Sequence, residues 1–162
     1  MGRLSCIVRG VDAGALGTVA MDAFLYRRYH HAGGESSFLS WESSAGMDTW
    51  DEAAAPARVA KRLLERALKR DIAPRYARLL NNATHWGFGL VCGGGYGVLV
   101  HSRSPRWWYG VSFGAAVWTT GYVVLPQLGV YEQIWKYDLP TLAKDLSAHL
   151  VYGAATAIAF SL

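Results

Sequence analysis

Two histidines stand in matching surroundings. Asn81, His85 and Gly89 are spaced by four residues, as are Asp145, His149 and Gly153, with an aromatic residue just before each glycine (Phe88, Tyr152). Four-residue spacing puts each set on one face of a helix. An imidazole with a carboxylate in reach suits three roles. The two can hold a divalent transition metal, relay protons through an apolar medium, or only hydrogen-bond between helices, with Asp145 holding His149 at i+4. Two histidines on parallel helices at equal depth, each one turn from a glycine, also offer axial ligands to a haem. With no CxxCH present, it would be b-type.

Other chemistry finds little support. Ser36, Ser37, Ser40, Ser43 and Ser44 have no spaced histidine and acid that would single out a nucleophile. The run GFGLVCGGGYG lacks the Lys-Ser/Thr ending of a phosphate cradle. Cys6 and Cys92 fall in or beside apolar runs and suggest neither a disulfide framework nor a CxxC metal knuckle. His30-His31 follows Arg27-Arg28 and reads as a solvated helix end. No catalytic residue stands out, and a non-enzymatic role is expected.

The elements that must carry these residues are apolar. Hydrophobic residues make up 52% of the 162 and charged ones 17%, against about 25% charged in an average soluble domain. Mean hydropathy is only +0.11, because the charge is concentrated in one segment, residues 29–78. Outside it, four stretches have the roughly 20 apolar residues that cross a bilayer: 4–28, 80–101, 107–128 and 139–161. The third opens on a Trp pair and carries no charge. The fourth opens on Asp138-Leu-Pro140, an N-cap and first-turn proline. The first contains Arg9, Asp12 and Asp22, which argue against a cleavable signal; Arg9 and Asp12, three apart, are expected to pair on one face, with Arg9 snorkelling to the near surface.

Within the polar segment, HHAGGESSFLSWESSAGMDTWDEA reads as irregular. Residues 51–72 then predict a helix, with acids and Pro56 in its first turn. Val59, Leu63, Leu64, Ala67 and Leu68 form one stripe, and Arg58, Lys61, Arg62, Arg66, Lys69 and Arg70 cover much of the rest. Such a helix lies on an anionic membrane surface or folds against the end of the bundle. The concentration of Lys and Arg, including Arg27, Arg28, Arg75 and Arg78, puts the loop in the cytoplasm, although Arg3, Arg9, Arg103 and Arg106 on the other side reduce the contrast. Loop arginines also account for the net charge of +4 better than nucleic-acid binding does.

Small residues supply the contacts. Gly10, Gly14, Thr18 and Asp22 are spaced by four in the first stretch, Gly89, Gly93 and Gly97 in the second, and Gly110 and Gly114 in the third. With Gly153, these ridges let helix backbones touch. The pattern predicts a duplicated hairpin, stretches one and two followed by three and four, with Asn81-His85-Gly89 repeated as Asp145-His149-Gly153. At 1.5 Å rise per residue the two histidines then lie within about 3–5 Å in depth. Asp22, His85, Asp145 and His149 would converge in one layer, near Asn81 and Thr84.

The residues AGALGTVAMDAF, HWGFGLVCGGGYG and AHLVYG resemble the YagU-like group of small bacterial inner-membrane proteins, and the Gly/Ala/Arg-rich usage suggests a high-GC actinobacterium. That group is loosely associated with acid tolerance, so the resemblance implies a proton-linked role; it carries over no catalytic residues.

The expectation is an all-α, polytopic membrane bundle of four transmembrane helices in two tandem hairpins, plus one amphipathic interfacial helix. Its Asp/His layer would handle protons or a divalent cation. The alternatives are an accessory or assembly subunit docked through glycine ridges onto a membrane partner or a second copy, and a b-type haem carrier using His85 and His149.

Overall fold

The computed structural model describes residues 2–101 and 107–162; Arg103 and Arg106 lie outside the described residues. Those residues form α1 (Arg3–His31), α2 (Phe38–Glu42), α3 (Ala55–Leu68), α4 (Ala77–Val100), α5 (Trp107–Gln127) and α6 (Leu139–Ser161), with single 3-10 turns at Pro74–Tyr76 and Ile134–Lys136 and no strand among them. The chain is all-α.

Local chemistry sets the helix ends. Asp138 accepts a hydrogen bond from the Thr141 N–H at 2.6 Å, and Pro140 follows in the first turn of α6. α3 is shorter than the 51–72 expected. Pro56 is tolerated only near a helix start, so the helix begins at Ala55 and leaves Asp51 and Glu52 outside; Lys69 ends it in the left-handed region at φ 51°. The polar loop is also more ordered than expected. Ser37 accepts from the Ser40 N–H at 3.3 Å and starts the short helix α2.

Helix α1 packs against both α4 and α6, and α5 against α6, whereas α4 and α5 are not closely packed. Glycine makes these approaches possible. A Cβ on Gly93 would run into the Gly10 carbonyl oxygen and lie 2.5 Å from Gly14 Cα. A Cβ on Gly153 would meet the Gly110 carbonyl oxygen and lie 2.6 Å from Gly114 N. Gly89 faces Thr18, and Gly97 faces the Cys6 carbonyl. With backbones this close, dispersion contacts run the length of each pair.

These contacts give the repeat a different register. Gly93 sits between Gly10 and Gly14 just as Gly153 sits between Gly110 and Gly114. Gly153 therefore matches Gly93 rather than Gly89, and His85 matches Asp145 rather than His149. Four-residue glycine spacing fits equally well when slid by one turn, so only the contacts select the register.

The long helices bury a few polar groups in an apolar core and expose large apolar side chains. Among the described residues, Thr18, Asp22 and Thr156 are buried, while Leu4, Leu16, Val91, Leu99, Val123 and Ile158 are more than half exposed. Arg9 stacks its guanidinium over Phe160 at 5.4 Å, and Asp12 is exposed. By length and composition, one helix among the described residues, α1, is apolar enough to cross a membrane, with mean hydropathy 1.3 over its most apolar 18 residues. The polar segment closes one end of the bundle. α3 packs on α4, and Trp50 Nε1 donates to the Ile72 carbonyl at 2.9 Å. At the same end Arg28 of α1 donates to the Lys144 carbonyl (2.8 Å) and Ser147 Oγ (3.0 Å) of α6.

Candidate functional site

Asp22 points from α1 into the bundle with 3% of its side chain exposed, and both its carboxylate oxygens lie 3.0 Å from His85 Nε2 on α4. The glycine one turn beyond His85 permits this pairing. A Cβ on Gly89 would strike Thr18 Oγ1, one turn before Asp22. Thr18 Oγ1 donates back to the Gly14 carbonyl at 3.0 Å, so this polar group is satisfied within α1. The imidazole at the head of the glycine ladder is thus held against a carboxylate by the close approach that the ladder creates.

A third donor comes from the loop. Glu42, the last residue of α2, accepts from Trp86 Nε1 at 3.0 Å. The start of α4 clamps this loop in place: Arg78 Nε donates to the Ser43 carbonyl (2.8 Å), Asn82 Nδ2 to the same oxygen (3.1 Å), and Asn81 Nδ2 to Ser44 Oγ (2.8 Å). One oxygen each from Asp22 and Glu42 and one nitrogen from His85 lie within 4.8 Å of one another. Burial, then the charge of Asp22, pushes the Glu42 carboxyl above its ordinary value of 4.5. Two carboxylates and one imidazole are a donor set for divalent transition metals.

Asp145 and His149 are not part of this set. His149 Nδ1 lies 3.0 Å from the Asp145 carbonyl and 3.6 Å from its carboxylate, within α6. A proton on Nδ1 satisfies that carbonyl and leaves the lone pair on Nε2. Burial first and the Asp145 carboxylate second push the Tyr131 phenol up to about 12. The expected single layer is therefore two pairs, Asp22–His85 on α1 and α4, and Asp145–His149 on α6. Asn81 clamps the loop through its Nδ2. The haem alternative does not fit: it needs both imidazoles aimed at one iron, and His85 Nε2 faces Asp22 instead.

Both pairs, with Asn81 and Thr84, line one cavity of about 970 Å³. α4 and α5 bound it where they fail to meet, and the α2 loop and α3 (Val59, Leu63) close it at the end of the bundle. Of the apolar stripe of α3, Val59 and Leu63 reach the cavity wall, but Leu63, Ala67 and Leu68 stay exposed, as do Arg58, Arg62, Arg66, Lys69 and Arg70, and Lys61 pairs with Glu65 at 2.8 Å.

Sequence reasoning missed Glu42 and Trp86. Trp86 stands next to His85, but an indole on an apolar helix reads as an interface anchor. Glu42 lies 43 residues before His85 in a Gly/Ser-rich stretch, and its only local signal is the Ser37 cap that starts α2.

No protein-family model, curated protein or solved structure matches this chain.

Proposed function

We propose that this chain is a small bacterial inner-membrane protein whose Asp22–Glu42–His85 cluster binds a divalent transition-metal cation in exchange for protons. The approach of these three donors to within 4.8 Å, on a cavity wall, carries the reading. Metal displaces protons from its ligands. Burial holds the Glu42 carboxyl above its ordinary value. The role is binding or transfer of an ion, and no group is assigned to catalysis. The YagU-like resemblance, with its implied proton linkage, points the same way.

The membrane assignment has two supports. α1, α4, α5 and α6 have 29, 24, 21 and 23 residues, long enough for a bilayer core that takes about 20. Large apolar side chains such as Leu16, Val91 and Val123 also cover the outside of the long helices while Thr18, Asp22 and Thr156 turn inward, the distribution expected when lipid is the solvent. The basic segment 29–78 would then face the cytoplasm. Titration of the purified protein with zinc tests the site. Saturable binding that Glu42→Gln and His85→Ala each weaken is expected, and unchanged binding in both would refute it.

A second reading is an accessory subunit or homo-oligomer. It draws on Ala83, Gly87, Val91 and Gly95, a ridge of α4 along which Cβ atoms on both glycines would meet nothing within 4 Å, and on Asp12, exposed among Val8, Leu16 and Val19 of α1. A charge there is costly in lipid unless another chain covers it. Cross-linking through cysteines introduced at Val91 in membranes would capture that partner.

A further inference from the structure

The cavity is far larger than the metal cluster in one corner of it, and its chemistry is uneven. Asp22, Glu42, Glu52 and Asp145 all line it, together with His85 and His149, but no Lys or Arg among the described residues does. This is notable in a chain with 16 Lys and Arg and a net charge of +4. The rest of the wall is mostly apolar, with Ser40, Ser44, Thr84 and Thr120 among it, and rich in aromatics: Trp41, Phe88, Trp118, Tyr122, Tyr131 and Tyr152. Two side chains of the lining, Asn81 and Trp118, each keep a buried polar atom (Oδ1 and Nε1) without a hydrogen-bond partner among the described residues.

A metal ion or a proton has no use for such a volume or for aromatic walls. An anion is opposed by four carboxylates. A neutral lipid chain would leave those carboxylates facing hydrocarbon, which is costly. An organic cation fits the charge, the aromatic faces and the apolar walls: π faces attract ammonium and related cations, carboxylates supply the countercharge, and apolar walls take up the substituents. At about 970 Å³ the cavity has the capacity of a drug-sized ligand site. We propose that it binds a hydrophobic organic cation, a quaternary ammonium or phosphonium-like molecule, between α4 and α5, with Asp145 as a countercharge separate from the metal cluster. This goes beyond the metal reading and does not depend on it.

The test uses the full-length protein in detergent and equilibrium dialysis with tetraphenylphosphonium, with tetraphenylborate as an anion of the same shape. Saturable binding of the cation is expected, with the anion at least about tenfold weaker. Asp145→Asn should weaken the cation about tenfold. A Cβ on Gly121 of α5 meets nothing within 4 Å, and this residue lines the cavity. Gly121→Phe should therefore fill the cavity and abolish binding while leaving the helices packed. Thermal unfolding of each variant beside the wild type reports that it is folded. If the wild type does not bind the cation saturably, or binds the borate equally well, the proposal fails even where zinc binds. Cation binding indifferent to both substitutions would put the ligand on the micelle and overturn it too.

Discussion

Glu42 is the residue on which the account of the site turns, and its ionisation gives a signed prediction. Its carboxyl lies above the ordinary 4.5 in the folded chain, chiefly through burial. Below 4.5 both folded and unfolded forms are protonated, and the group is neutral in its effect. As pH rises through the raised value, the unfolded chain gives up its proton more readily, so folded stability falls and then levels off. In metal-free protein, Glu42→Gln should remove this penalty. Denaturation midpoints should be higher for the variant at neutral pH and converge with wild type below about pH 4.5; a variant that is less stable throughout contradicts the assignment. His85→Ala should act oppositely. It strips the buried Asp22 carboxylate of its 3.0 Å partner, at a cost of about 1–3 kcal/mol, measurable in the same experiment. Of this cluster, Asp22 and His85 were legible in the sequence because helical spacing marks them. Glu42 was not, because it reaches them only when Arg78, Asn81 and Asn82 of α4 capture the loop.

Among the elements, the glycines divide into those that touch another helix and those that do not. Gly93→Ala would push a methyl group into Gly10 and Gly14 of α1, and should cost about 1–3 kcal/mol or more because backbone cannot move aside as a side chain can. Gly95→Ala, two residues on, meets nothing within 4 Å, and should be neutral or stabilising by up to about 1 kcal/mol through helix propensity. Thermal unfolding of the two variants side by side checks the α1–α4 register; equal effects would refute it. If the open ridge of α4 serves a partner, Gly95→Leu should leave the isolated protein stable and reduce only Val91 cross-linking. The four long helices were readable from apolar length, and the start of α6 from Asp138, whereas α3 starts four residues after the expected Asp51. The register of the repeat was not, since a glycine every four residues is compatible with several alignments.

At the scale of the molecule, an all-α bundle follows from apolar stretches and small-residue ridges, but the cavity follows from a contact that is missing. α1 is held by α4 and α6, α6 also by α5, while α4 and α5 meet through the Tyr96–Phe113 ring contact at 5.2 Å and are otherwise not closely packed. No pattern in either helix announces a gap between them, so the separation of the expected Asp/His layer into two pairs was invisible before the fold was known. That separation gives the most direct test. Elemental analysis of the detergent-purified protein should find about one transition-metal ion per chain, lost in the Glu42→Gln, His85→Ala double variant and kept in His149→Ala. Wild-type protein free of metal after saturation and desalting, or an ion that His149→Ala removes and the double variant retains, would contradict the account.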